Sequence, residues 1–177
     1  MYRIDILLKQ NRQLFHTADL SLLWGVTNNN TLYTTIKRYL NKGVLIPIHK
    51  GFYSTVPADQ INPYNLMQGY LHRYCYISCE TVLISHGVIF QKGNYITAVS
   101  QVSKKFTLAN NDFFVRKLKD DHLYNDRGVV GNDGVMIAGL ERAVADMLYY
   151  SPRYHFDNRK IINWKMVRKI QREVGYR

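Results

Sequence analysis

The sequence predicts an α+β protein in two parts, and three observations carry that prediction. Residues 1–55 read as three short helices followed by a β-hairpin, and residues 94–137 hold four β-prone runs between helical stretches. The third observation is charge. Residues 1–55 carry seven Lys/Arg against two Asp/Glu, and residues 153–177 carry eight against two, whereas residues 56–152 balance nine against nine. All of the net +11 therefore sits at the two ends. Two basic segments around a neutral middle point to contact with a polyanion at defined places and a different task between them.

Composition narrows the class further. With 177 residues, 46% of them hydrophobic, the chain has enough apolar side chain for one sizeable core or two modest ones, which excludes disorder. No run of about 18 apolar residues occurs. The opening MYRIDILLKQN places both charge signs where a signal peptide needs an apolar core. The expectation is a soluble cytoplasmic protein without a membrane partner. Cys75 and Cys79 are the two cysteines, four residues apart, with no second Cys or His pair at zinc spacing. Neither a disulfide framework, a metal site nor a cofactor is expected.

Taken in order, Ile4, Leu7 and Leu8 follow the i, i+3, i+4 rule of a first helix whose other face holds Arg3, Asp5, Lys9 and Arg12. Thr17 reads as the N-cap of a second helix, Asp19 suits its positive end, and Leu20, Leu23 and Trp24 form its apolar stripe up to Gly25. Asn28 to Asn30 supply caps for a third helix with Leu32, Ile36, Tyr39 and Leu40 inward and Gly43 at its end. Val44 to Ile48 and Phe52 to Thr55 then form a hairpin about His49-Lys50-Gly51, with Pro47 restricting the first strand to a short or edge position. Two helices about a glycine-bearing turn, then a hairpin, make a winged helix-turn-helix over residues 1–55. Its third helix would turn Asn29, Asn30, Tyr33, Thr34, Lys37, Arg38 and Asn41 outward. Asn pairs bidentately with adenine and Thr touches a thymine methyl, so the first turns suit a major groove. Lys37 and Arg38, with His49 and Lys50 at the hairpin tip, suit phosphates. The competing expectation is an ordinary solvated helix face.

Residues 56–63, VPADQINP, read as a linker and residues 64–177 as a second, mixed α+β domain. Asn62 and Pro63 start a helix with Leu66, Tyr70 and Leu71 inward. CYISCETVLISHGVI gives a short strand, then a helix capped by Ser78 and stopped at Gly87. The runs YITAVS, KKFTLA, FFVRKL and GVMIAG read as strands, and GLERAVADMLYY as a helix with Leu140, Val144, Met147 and Leu148 inward. The last segment is a basic amphipathic helix, with Val167, Ile170 and Val174 on one face and Lys165, Arg168, Lys169 and Arg172 on the other. That basic face suits a second DNA contact, an acidic partner or plain solvent.

Three stretches in this order resemble the AbiEi antitoxin family of bacterial AbiE toxin-antitoxin systems, which act in phage defence. IPIHKGFYS is similar to the family's wing ending. YISCETVLISHGVI is similar to its strand-helix motif at Ser78, Leu83, His86 and Gly87, and GLERAVADMLYY to its helix at Glu141, Arg142, Ala143 and Asp146. The resemblance spans about residues 5–150. It implies a repressor whose winged helix binds inverted repeats of double-stranded DNA in its own promoter. It also implies a C-terminal domain that counteracts a nucleotidyltransferase-like toxin. The expected stoichiometry is a monomer in solution with two copies on the inverted repeat. The alternative is a stand-alone transcription regulator whose second domain senses a ligand or partner.

No catalytic constellation is legible. His86 reads as a helix-end histidine suited to the negative dipole end. Glu141 and Asp146, five apart, do not share a helical face, and Asp146 suits a local hydrogen bond or ion pair. No acidic residue is followed two positions later by lysine, as metal nuclease sites commonly require, and Asp120-Asp121 read as a solvated turn. Glycine-rich phosphate loops, serine elbows and His-Glu zinc motifs are missing from the sequence. The expectation is a protein without enzymatic activity.

Overall fold

The computed structural model describes residues 3–91, 93–132 and 134–176; Met1, Tyr2, Lys92, Asp133 and Arg177 lie outside them. The chain is mixed α+β and divides into two compact units, Met1–Tyr70 and Leu71–Arg177.

The first unit runs α1 (Arg3–Leu8), β1 (Leu14–His16), α2 (Thr17–Trp24), α3 (Asn29–Asn41), β2 (Ile46–His49), β3 (Phe52–Ser54), a 3-10 turn (Ala58–Gln60) and α4 (Pro63–Leu71). Leu7, Phe15, Leu20, Leu32, Ile36 and Leu45 are buried together, and Trp24 meets Tyr39 edge-on at 5.4 Å. The three strands form one antiparallel sheet in the order β1-β3-β2, with Phe15 opposite Tyr53. Pro47 thus occupies an edge strand, where its missing N–H costs no ladder bond. Lys50 and Gly51 turn the hairpin, Gly51 taking φ +73°. The stretch expected as a linker holds the 3-10 turn and buries Ile61.

Three local expectations are corrected here. The first helix stops at Leu8, which is 65% exposed, because the chain there turns toward β1 instead of continuing the helical face through Arg12. β1 itself was not anticipated: three residues are too few to display a strand period. Thr17 is the first helical residue, not the cap. The chain passes directly from strand to helix, so extended His16 occupies the N-cap position and Asp19 Oδ2 accepts its backbone N–H at 2.7 Å.

In the second unit β4 (Cys75–Ile77) leads into α5 (Glu80–Ser85), followed by β5 (Ile96–Ser100), β6 (Lys104–Leu108), β7 (Asn111–Lys117), α6 (Asp120–Leu123), β8 (Val129–Asn132), β9 (Val135–Ala138), α7 (Leu140–Tyr150), a 3-10 turn (Arg159–Ile161) and α8 (Trp164–Val174). The strands form a mixed sheet in the order β6-β7-β5-β4-β9-β8, with β4/β9 and β5/β7 parallel. α7 packs against α5 and α8. β8 was not anticipated, because Val129-Val130-Gly131 offers two apolar residues before a glycine.

A buried polar network sits within the apolar core of this unit. Arg142 and Asp146, one turn apart on α7, are both 0% exposed and joined by Nε to Oδ1 at 2.8 Å. Arg142 Nη1 donates to the carbonyls of Asn125 and Arg127, each at 2.9 Å, and Nη2 to Tyr76 Oη at 2.8 Å and the His122 carbonyl at 3.1 Å. All five guanidinium N–H groups thus have acceptors. Asp146 accepts in addition from Tyr176 Oη at 2.5 Å and Ser78 Oγ at 2.6 Å. Ser78 is therefore buried in this network and does not cap α5, whose N-cap position is Cys79.

Burial acts against the Arg142 charge, but Asp146 and the two tyrosines hold its pKa above the ordinary value. Burial, then Asp146, pushes the Tyr76 and Tyr176 hydroxyls up, and burial alone raises the Cys75 thiol to about 12. Gly128, at φ +73°, lies so close that a Cβ there would stand 2.9 Å from Arg142 Cβ. Among the described residues no helix is long and apolar enough to cross a membrane.

Candidate nucleic-acid interface

The first unit presents its polar face through α3. Asn28 caps the helix, its side chain accepting the Thr31 N–H at 3.0 Å, which leaves Asn29 and Asn30 free to project from the first turn. At the other end the Val44 N–H reaches the Tyr39 carbonyl and the Gly43 N–H the Leu40 carbonyl, a Schellman closure that needs the positive φ of Gly43, +67°. Between these stops Leu32, Thr35, Ile36 and Tyr39 are buried, fixing the rotation of the helix. Arg3 Nη1 donates to Thr35 Oγ1 at 2.9 Å, and Thr35 Oγ1 donates to the Thr31 carbonyl at 2.8 Å.

Opposite that buried stripe, Asn30, Tyr33, Thr34, Lys37 and Asn41 recur at i, i+3, i+4, i+7 and i+11, with Asn29 and Arg38 at the margins. All seven are exposed, Tyr33 to 56%. The Arg38 guanidinium lies over the Tyr39 ring at 5.3 Å from its centroid, which steers it along the helix flank. His49 and Lys50 are exposed at the hairpin tip, and the His49 ring rests edge-on against Tyr70 at 5.2 Å. The sequence reading omitted Lys42, exposed one turn beyond Arg38; its i, i+4 spacing was the available signal.

Arg12 in this unit is paired with Asp19 at 3.0 Å. Among the described residues Lys37, Arg38, Lys42 and Lys50 have no carboxylate partner, so their field is uncompensated. An exposed row of amide, hydroxyl and phenol groups bordered by unpaired cations can hydrogen-bond base edges while neutralising phosphates.

In the second unit, Lys165, Arg168, Lys169 and Arg172 are all exposed on α8, and Val167, Ile170 and Val174 are buried. Lys169 lies 4.0 Å from Glu173, which also meets Arg127 at 3.3 Å. His86 Nδ1 lies 2.9 Å from the Val82 carbonyl at the end of α5. No protein-family model matches the chain, and no curated protein shows significant similarity to it.

Proposed function

We propose that the chain is a sequence-specific DNA-binding repressor without enzymatic activity, in which the first unit is a winged helix-turn-helix. α2 and α3 are the helix pair, α3 enters the major groove, and the β2–β3 hairpin is the wing. The single observation that carries this reading is the uniformly exposed polar row of α3 with unpaired cations along its border. The element order α1-β1-α2-α3-β2-β3 and the sheet order β1-β3-β2 support it, since a short turn between α2 and α3 followed by a β-hairpin is what the motif requires. Asn29, Asn30, Tyr33 and Thr34 face bases; Lys37, Arg38 and Lys50 clamp phosphates, with His49 beside them at the wing tip.

We further infer that it acts as an antitoxin, which rests on the resemblance to the AbiEi family. Two of the stretches carrying that resemblance meet in the Ser78–Asp146 hydrogen bond and the Arg142 network, so what they support is a common framework for the second domain. The partners are promoter inverted repeats and a nucleotidyltransferase-like toxin.

Footprinting on the DNA upstream of the chain's own gene tests the repressor reading. Two protected half-sites are expected, about 10 base pairs apart or a multiple of that, because two copies must lie on one face of the duplex. Protection without sequence preference would overturn it. Co-expression with an adjacent nucleotidyltransferase gene tests the antitoxin: growth rescue is expected, and unrelieved toxicity contradicts it.

A further inference from the structure

We propose that a cavity in the second unit, beside the start of α8, binds a nucleotide unit, its base against aromatic rings and its phosphate on two arginines. This goes beyond duplex recognition by α3 and does not depend on it. The cavity measures about 320 Å³ and is lined in part by Arg153, Tyr154, His155, Phe156, Arg159 and Trp164. That volume falls within the range of small-ligand sites.

Its aromatic wall is continuous. Tyr154 and Phe156 have ring centroids 5.2 Å apart, and Phe156 and Trp164 6.0 Å apart. Phe156 is buried and serves as the base of the wall, whereas Tyr154 and Trp164 are only partly covered. Trp164 Nε1 donates to the Arg159 carbonyl at 3.3 Å, which sets the indole plane, and the Arg159 guanidinium lies 5.1 Å from the indole centroid.

Charge gives the wall its selectivity. Arg153 and Arg159 are exposed and have no carboxylate partner among the described residues. Two acids are nearby and both are engaged: Asp157 by the Phe90 N–H at 2.8 Å and by His155 at 3.7 Å, and Glu80 by Arg116. A ligand that satisfies rings and arginines together needs a flat π face and an anion close to it, which is the chemistry of a nucleobase and its phosphate.

Trp164 links the cavity to a cationic track. Trp164 and Arg168 are i, i+4 neighbours on α8, and Lys165, Arg168, Lys169 and Arg172 continue the exposed cationic stripe over roughly 12 Å of helix. A free nucleotide uses the cavity alone. A nucleotide within a single strand uses both cavity and track, while a duplex keeps its bases stacked out of reach.

Tryptophan emission of the full chain tests this, with an oligoadenylate of about eight nucleotides, AMP and polyglutamate as titrants at one ionic strength. The oligonucleotide is expected to quench emission. The quench should vanish in Trp164→Phe, which keeps a stacking ring and should bind a labelled strand within about threefold of the parent. Arg153→Ala with Arg159→Ala should weaken the strand at least about tenfold. Equal affinity for AMP and the strand identifies the free nucleotide as the ligand. No quench by either nucleic-acid probe, or polyglutamate competing as well as the strand without any Trp164-dependent signal, overturns the proposal.

Discussion

Helices α3 and α7 both carry arginine, and they use it in opposite ways. Arg38 is exposed on α3 with its guanidinium lying over Tyr39, while Arg142 on α7 is fully enclosed, with every N–H committed and Asp146 one turn away. Charge on α3 sits in water, where it adds little to stability and remains available to a phosphate. Charge on α7 sits where desolvation is severe, so it is tolerable only while each partner remains. The first unit therefore keeps its basic residues replaceable and its fold in Leu20, Leu32 and Ile36. The second ties its sheet, the segment after α6 and Tyr176 through one polar knot.

That contrast is most easily broken at Asp146. Asp146→Ala should cost the second unit about 3–5 kcal/mol, because it strands Arg142 uncompensated in the interior. The chain's two tryptophans lie one in each unit, Trp24 and Trp164, so Trp24→Phe and Trp164→Phe backgrounds report the units separately. Denaturation followed through Trp164 should shift strongly. A loss of less than about 1 kcal/mol would mean that the network is dispensable.

Alkaline pH sharpens the same comparison. Among the described residues, Tyr64 apart, the groups whose pKa burial raises, among them Cys75, Tyr76, Cys79, Tyr150 and Tyr176, lie in the second unit. Cys75 is raised from its ordinary 9.0 to about 12, so the unfolded chain releases that proton at lower pH than the folded one. Stability from this group is complete below about pH 9 and is lost as pH climbs toward about 12. Each such group contributes a slope of up to about 1.4 kcal/mol per pH unit. The Trp164 transition should fall in this window ahead of the Trp24 transition; simultaneous loss of both contradicts the assignment.

A smaller effect is expected at Asn28. Asn28→Ala should cost the first unit about 1 kcal/mol by orphaning the Thr31 N–H, read by Trp24 emission, with the Trp164 transition unmoved. A neutral result would mean that water serves that donor equally well.

The first unit was the more legible in sequence. Periodicity located α3 and its outward residues because one stripe of a long helix is buried. The hairpin was legible through Lys50-Gly51 and the restriction at Pro47. β1 was not, since three residues carry no period and its strand character comes from pairing with β3. In the second unit, Ser78 had the spacing of a helix cap, yet its hydroxyl goes to Asp146, a partner 68 residues away that no local rule supplies. No local rule places Arg142 inside either: the carbonyls of Asn125 and Arg127 that accept its N–H groups lie 17 and 15 residues earlier in the chain. The aromatic-cationic lining of the proposed nucleotide cavity was visible as alternating types in PRYHFDNR and was passed over because that stretch has no helical or strand period.

The salt dependence of duplex binding measures most directly whether α3 meets DNA as proposed. The logarithm of affinity should fall linearly with the logarithm of salt concentration, with a slope near 0.9 per phosphate neutralised. Lys37→Ala with Arg38→Ala should reduce the magnitude of that slope by about two and leave thermal stability within about 0.5 kcal/mol of the parent. An undiminished slope in the double variant would contradict the central claim, whatever the affinity.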